Sequence, residues 1–238
     1  MTSPLLRIDI LTLFPKLVEI PLGESMVKQA RKRGRVNIQI HNLRDFAPDR
    51  HRTCDDKPFG GGAGMVLMAQ PIYDCLHSIS GRGWRILVSP RGKVFSNATA
   101  KRLARKKHLV FICGHYEGVD ERVHQHLVDE EISVGDFIAT GGEIPTLLFV
   151  DAIIRFVPGV LGNRKSLDSE SFGNGLLDFP QYTRPRAFRG WSVPESLVSG
   201  DHKTIEMWRN AQRLMLTKKF RPDLLSSLKK ADSSWRKK

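Results

Sequence analysis

Along the first 156 residues, apolar positions gather into short runs separated by glycine, proline and charged turns. Residues 6–14 carry apolar side chains at six of nine positions and read as a buried first strand, whereas 36–40 (Val-Asn-Ile-Gln-Ile) alternates as a half-exposed strand does. Between them the spacing predicts a short helix over 25–33, stopped at Gly34. Further strands are predicted over 84–89, 108–113 and 128–133. Helices are predicted over 71–79, 97–106, 121–126 and 143–156. Strands alternating with helices imply an α/β domain with a mainly parallel sheet, and ligands of such sheets collect at the carboxyl ends of the strands.

The pattern changes after Phe156. Residues 158–176 are rich in Gly, Ser and Asn with little apolar periodicity and read as a linker. Beyond them, 201–217 and 222–231 have helical spacing. The expected organisation is therefore an α/β domain over 1–157, a linker over 158–176 and a small helical domain over 177–238.

Charge sharpens this division. The net charge is +13, and residues 177–238 hold fourteen Lys and Arg against six Asp and Glu. Basic excess in the last quarter fits a surface that meets a polyanion such as nucleic acid; it equally fits a solubilising surface ending in the tail Arg236-Lys237-Lys238. The longest apolar runs fall short of the roughly 18 residues of a membrane span, and the first nine residues look strand-like rather than like a signal peptide. Three widely spaced cysteines, Cys54, Cys75 and Cys113, lack a metal-ligand pattern. They point to a reducing cytoplasm and structural thiols.

Candidate chemistry concentrates at turns. Gly114-His115-Tyr116-Glu117-Gly118 follows one predicted strand, and Val134-Gly135-Asp136-Phe137-Ile138-Ala139 with Gly141-Gly142 follows another. Glycine lets a ligand approach backbone amides and carbonyls closely, so the two turns predict one small-molecule pocket. Ser89-Pro90-Arg91-Gly92 ends the strand over 84–89 as a turn and is a third possible wall. The charged loop from Asp49 through Arg52 runs into Gly60-Gly61-Gly62-Ala63-Gly64. That cluster lacks the Gly-Lys-Ser/Thr ending of a nucleotide-phosphate loop, which argues against ATP or GTP hydrolysis, but it offers a backbone surface for a flat base. Arg155 follows an apolar helix, where it reads as a helix-end charge, and the linker supplies Asp168 and Glu170. An arginine and a carboxylate there also make an oxyanion stabiliser and a base. In the last domain His202, Arg209 and Arg213 share one helix face suited to phosphate contacts.

Together these segments closely resemble the bacterial tRNA (guanine-N1) methyltransferases. The resemblance covers nearly the whole chain, through Leu13-Phe14-Pro15, Asp49-Arg50-His51-Arg52-Thr53, the 60–65 glycine loop, Gly114 to Gly118, Ser133 to Phe137, Arg155 to Gly162, Gly175 to Pro185 and Leu197 to His202. It implies a trefoil-knotted α/β domain, an exception to the rule that chains avoid knots, with a small helical C-terminal domain. It further implies a homodimer with active sites between subunits, no membrane association, and methyl transfer to the guanine immediately 3′ of the anticodon. S-adenosylmethionine would touch Leu87, Ser89, Pro90, Gly114, Tyr116, Glu117, the stretch Val134, Gly135, Asp136, Phe137, Ile138, Ala139, and Gly141 and Gly142. tRNA would meet Asp49, Arg52, Gly60, Gly61, Gly62, Ser199, His202 and Arg209. Arg155 would assist and Glu170 would serve as base, a glutamate where the family has aspartate; Asp168 is the second possibility. Mg²⁺ is implied in catalysis, although no metal cage is visible in the sequence. Two further functions compete: a non-catalytic RNA-binding module, and a knotted methyltransferase of another RNA.

Overall fold

The computed structural model describes residues 4–162 and 166–226. The chain falls into two units, Met1–Gly162 and Asn163–Lys238. In the first, β1 (Leu6–Thr12) leads into α1 (Pro15–Leu22) and α2 (Ser25–Lys32), then β2 (Val36–Asn42). The ribbon β3 (Asp55–Asp56) and β4 (Val66–Leu67) brackets the glycine cluster. Next come α3 (Ala69–Ser78), β5 (Trp84–Val94), α4 (Asn97–Leu103), β6 (His108–Cys113), α5 (Glu121–His126), β7 (Glu130–Ser133) and α6 (Glu143–Ile154). The strands order as β2-β1-β6-β5-β7, and every ladder between them is parallel. The predicted α/β class and parallel sheet are thus observed.

Each sheet face carries its own apolar layer. Ile8 and Ile10 of β1 pack with Val18, Val27, Phe149 and Ile153 from α1, α2 and α6. Leu11, with Leu87 and Ile112, packs with Ile72 and Leu76 of α3 and Val123 of α5. Burial on both faces is why apolar side chains stand at the adjacent positions Ile10 and Leu11 of β1. Asp9 is fully buried in the same strand, yet it is heavily partnered. Its carboxylate accepts from Arg7 Nε at 2.7 Å and meets His41 Nε2 and His108 Nε2 at 2.6 Å each. Burial opposes its charge, but these bonds win and hold its pKa at about 2.

Several elements differ from the sequence reading, α4 for example ending at Leu103 rather than 106. The strand predicted over 84–89 continues to Val94, so Ser89-Pro90-Arg91-Gly92 is not a terminal turn. Val88 and Lys93 both register with Ile132, which leaves the intervening residues outside the ladder as a bulge. α1 was hidden by Pro15 and Pro21. Pro15, however, occupies the first helical turn, where no intrahelical bond is lost, and Pro21 lies at the far end. β7 begins at Glu130, two residues later than predicted.

The second unit holds the short α7 (Ser166–Ser169), the ribbon β8 (Ala187–Phe188) and β9 (Trp191–Ser192), α8 (Glu195–Val198) and α9 (His202–Phe220). Asp201 caps α9 by accepting from the Lys203 and Thr204 amides. The helix predicted over 222–231 and the tail at 236–238 run beyond the described residues, as does the Asp168 side chain.

Candidate active site

A cavity of about 490 Å³ opens at the bulge within β5 and beyond the carboxyl ends of β6 and β7, close to where the parallel-sheet rule anticipates it. Its first wall is the β5 bulge. Ser89 Oγ accepts the Arg91 amide at 3.2 Å, and a Cβ on Gly92 would lie 2.4 Å from the Ile132 nitrogen. Only glycine lets the bulge lie that close to β7.

The second and third walls interlock. The Gly142 amide donates to the Gly114 carbonyl at 2.7 Å, and His115 bridges to Gly141. A Cβ on Gly142 would stand 2.8 Å from both Cys113 Cα and Gly114 N. Tyr116 adopts φ of +60°, in the left-handed region unusual for its type. The segment is held by bridges from Val66 to Tyr116 and Leu67 to Val119, and by the Glu117 amide donating to Met65 at 3.0 Å. Burial and the nearby Asp55 carboxylate push the Tyr116 hydroxyl pKa up.

Twelve of the expected donor contacts line this cavity: Leu87, Ser89, Pro90, Gly114, Tyr116, Glu117, Val134, Phe137, Ile138, Ala139, Gly141 and Gly142. Gly135 and Asp136 do not. They form the turn between β7 and the 137–142 loop, where the Gly135 carbonyl accepts from Ser133 Oγ at 3.0 Å. The cavity also includes Arg91, His115, His124 and Pro145, which sequence reasoning did not single out as contacts. Arg91 is fixed by Glu121 at 2.5 Å.

Beneath the floor, Glu143 opens α6 and is buried, a favoured place for a carboxylate at a helix N-terminus. Its Oε1 accepts from Thr12 Oγ1 at 2.7 Å, and its Oε2 lies 3.9 Å from His115 Nδ1. Burial first, and then the Glu143 charge, drive the Cys113 thiol pKa far up.

The glycine cluster stands beside this cavity. A Cβ on Gly64 would overlap the Glu117 side chain, at 2.3 Å from Cγ. Gly60, Gly61 and Gly62 all have positive φ and are exposed. Asp49 keeps its oxygens within its own loop, accepting from Thr53 N and Oγ1 at 2.8 Å each and from His51 N at 3.1 Å. The Thr53 bonds lower its pKa. Arg52 pairs with Asp45 at 3.2 Å. Arg155 caps the end of α6, half-buried.

In the second unit, Glu170 is half-buried in a turn in which its carbonyl accepts the Gly173 amide at 3.0 Å. Ser199 and His202 are exposed. The shared face of Arg209 and Arg213 is present, but it is not an open basic surface. Both guanidinium groups lie over the Phe179 ring, at 4.8 and 5.0 Å, and Arg213 donates to the Ser169 carbonyl at 2.9 Å. Helical spacing places the arginines together; it does not reveal the aromatic ring thirty residues upstream that they cover.

Among the described residues no group of three or more His, Cys, Asp or Glu side chains could hold a metal ion, and no helix is long and apolar enough to cross a membrane. The family described as tRNA (Guanine-1)-methyltransferase TrmD matches residues 6–227. The chain is 52% identical over 221 residues to a tRNA (guanine-N(1)-)-methyltransferase of Carboxydothermus hydrogenoformans, covering 92% of this chain and 87% of that protein. A protein of the same name from Geotalea uraniireducens is 51% identical over 224 residues, covering 93% and 91%. One from Alkaliphilus metalliredigens is 48% identical over 238 residues, covering 97% and 96%.

Proposed function

This chain belongs to the tRNA (guanine-1)-methyltransferase family, and from that premise we propose that its glycine-walled cavity holds S-adenosylmethionine for methylation of a tRNA guanine at N1. Enzymatic methyl transfer to guanine in tRNA comes with the family. The observation that carries the site is the cavity itself. Its volume lies within the usual range for small-molecule sites, and it is walled by the β5 bulge and by the glycine-bearing segments that follow β6 and β7. The residues fit the donor. Leu87, Val134, Ile138 and Pro145 offer apolar surface to a flat base, and Gly114, Gly141 and Gly142 bring backbone into the lining. When bound, S-adenosylmethionine supplies a methyl group on a positively charged sulfur.

The rest of the chemistry falls to the chain. Guanine N1 carries a proton at neutral pH and is a poor nucleophile. Glu170 is the proposed base that accepts this proton; a positioned base is worth roughly 10²–10⁴-fold in rate. Arg155 is the proposed cation that stabilises the charge spreading to O6. The finer features carried by the family resemblance are also proposed: the guanine immediately 3′ of the anticodon, a homodimer, a knotted path, cytoplasmic location and a Mg²⁺ requirement. Magnesium is commonly held by one or two carboxylates together with substrate phosphates, so a dedicated cage is not required. An apolar face on the first unit supports the dimer. Leu17 and Ile20 of α1, and Ile144 and Leu148 of α6, which packs on α1, are all exposed.

The deciding experiment gives the protein labelled S-adenosylmethionine, Mg²⁺ and tRNA bearing either guanine or adenine just 3′ of the anticodon. Label confined to the guanine tRNA and mapped to N1 is expected. Label in neither, with donor binding intact, would favour an RNA-binding role or another RNA target.

A further inference from the structure

The ribbon β8–β9 presents two large aromatic side chains that the second unit leaves uncovered. Phe188 and Trp191 are direct cross-strand partners, with ring centroids 6.1 Å apart, and they are 55% and 72% exposed. The strands are joined by Arg189 and Gly190, both at positive φ (50° and 85°), the geometry of a tight two-residue hairpin turn. That turn fixes the two rings on one face of the ribbon. Arg189 lies over the Phe188 ring at 5.5 Å. Arg184 and Arg186 flank β8, and the segment 184–193 contains no acidic residue; Arg186 is paired with Glu195 at 2.9 Å from the neighbouring helix.

An exposed tryptophan beside an exposed phenylalanine is an unusual surface and marks a contact. Charge decides which kind. Arg189 lies over one ring, Arg184 and Arg186 stand just before β8 in an acid-free segment, and among the described residues only Arg186 is offset by a carboxylate, so the ribbon keeps a positive character. That character favours a polyanion that also has flat apolar faces. Unpaired nucleotides meet both demands, since every base has a stacking face and every linkage a phosphate.

We propose that the β8–β9 ribbon is a stacking platform for unpaired bases of the RNA substrate, with Phe188 and Trp191 as the stacking faces and the flanking arginines as phosphate contacts. The proposal rests on the tRNA reading above and extends it to a surface outside the donor cavity. Stacking on an aromatic ring typically contributes about five- to hundred-fold in affinity per base, while leaving the salt dependence to the cations.

The test uses the full chain and three variants, Trp191→Ala, Trp191→Phe and Phe188→Ala. Each is measured for affinity to unmodified tRNA and to a short unstructured RNA at several salt concentrations, for donor affinity, and for molar mass in solution. We expect Trp191→Ala to lose at least fivefold in affinity for both RNAs with an unchanged salt slope, and Trp191→Phe to keep most of it. Donor affinity and mass should match the parent protein. Unchanged RNA affinity in both alanine variants would overturn the platform. So would a fall in mass, which would assign the rings to contact with a second copy. If the parent protein binds the short RNA through these rings yet methylates no tRNA, the platform stands and the enzymatic reading fails.

Discussion

Glu170 and Arg155 are the side chains on which the proposed proton transfer turns. Glu170→Ala is expected to lower turnover by at least a hundredfold, the lower limit for a positioned base, while calorimetry shows S-adenosylmethionine still bound. Turnover near that of the parent would remove Glu170 from the role. Asp9 matters for stability rather than chemistry. It is a buried carboxylate bonded to Arg7, His41 and His108, so Asp9→Ala strips the counter-charge from a closed cluster, at a cost of roughly 3–5 kcal/mol. Its folded pKa of about 2 lies below the ordinary 3.8, so the ionised form favours folding. That contribution, on the order of 2 kcal/mol, is complete above about pH 4 and is lost as pH falls toward 2. Urea unfolding of both proteins across this window should show their midpoints converging as the pH drops. A constant gap would mean that the carboxylate's ionisation is not what stabilises the cluster.

At the scale of elements, the cavity depends on backbone segments approaching more closely than side chains allow. Gly142→Ala would place a methyl 2.8 Å from the Cys113 and Gly114 backbone, atoms that cannot swing aside. Its φ of −78° is ordinary, so the effect is steric rather than conformational. We expect donor affinity to fall about tenfold or more, in keeping with the 1–3 kcal/mol of an overpacked site. An unaltered donor titration would show that the two walls separate without consequence. This dependence also explains what the sequence makes legible. Glycine signals close approach, so the 114–118 and 141–142 walls can be read from composition and position. β6 emerges at its observed bounds because turns flank a clear apolar run, and α5 because Asp120 caps its start. The β5 bulge does not emerge, because Ser-Pro-Arg-Gly is also a sound turn and only the double pairing to Ile132 distinguishes the two. Strands of two residues, such as β3, β4, β8 and β9, are too short to show alternation at all.

For the molecule as a whole, the proposed pairing of two copies makes a test of its own. Leu148→Asp places a charge on an exposed apolar position of α6 and is expected to yield a monomer by light scattering; an unchanged mass would move the contact elsewhere. A last consequence concerns the thiols. Cys54, Cys75 and Cys113 are all free and buried, and burial raises each pKa, that of Cys75 to about 12. Thiolate is the reactive form, so the folded chain is close to silent toward alkylating reagents at neutral pH. A single cysteine introduced on the surface can therefore carry a fluorophore or spin label while the three native thiols remain in place.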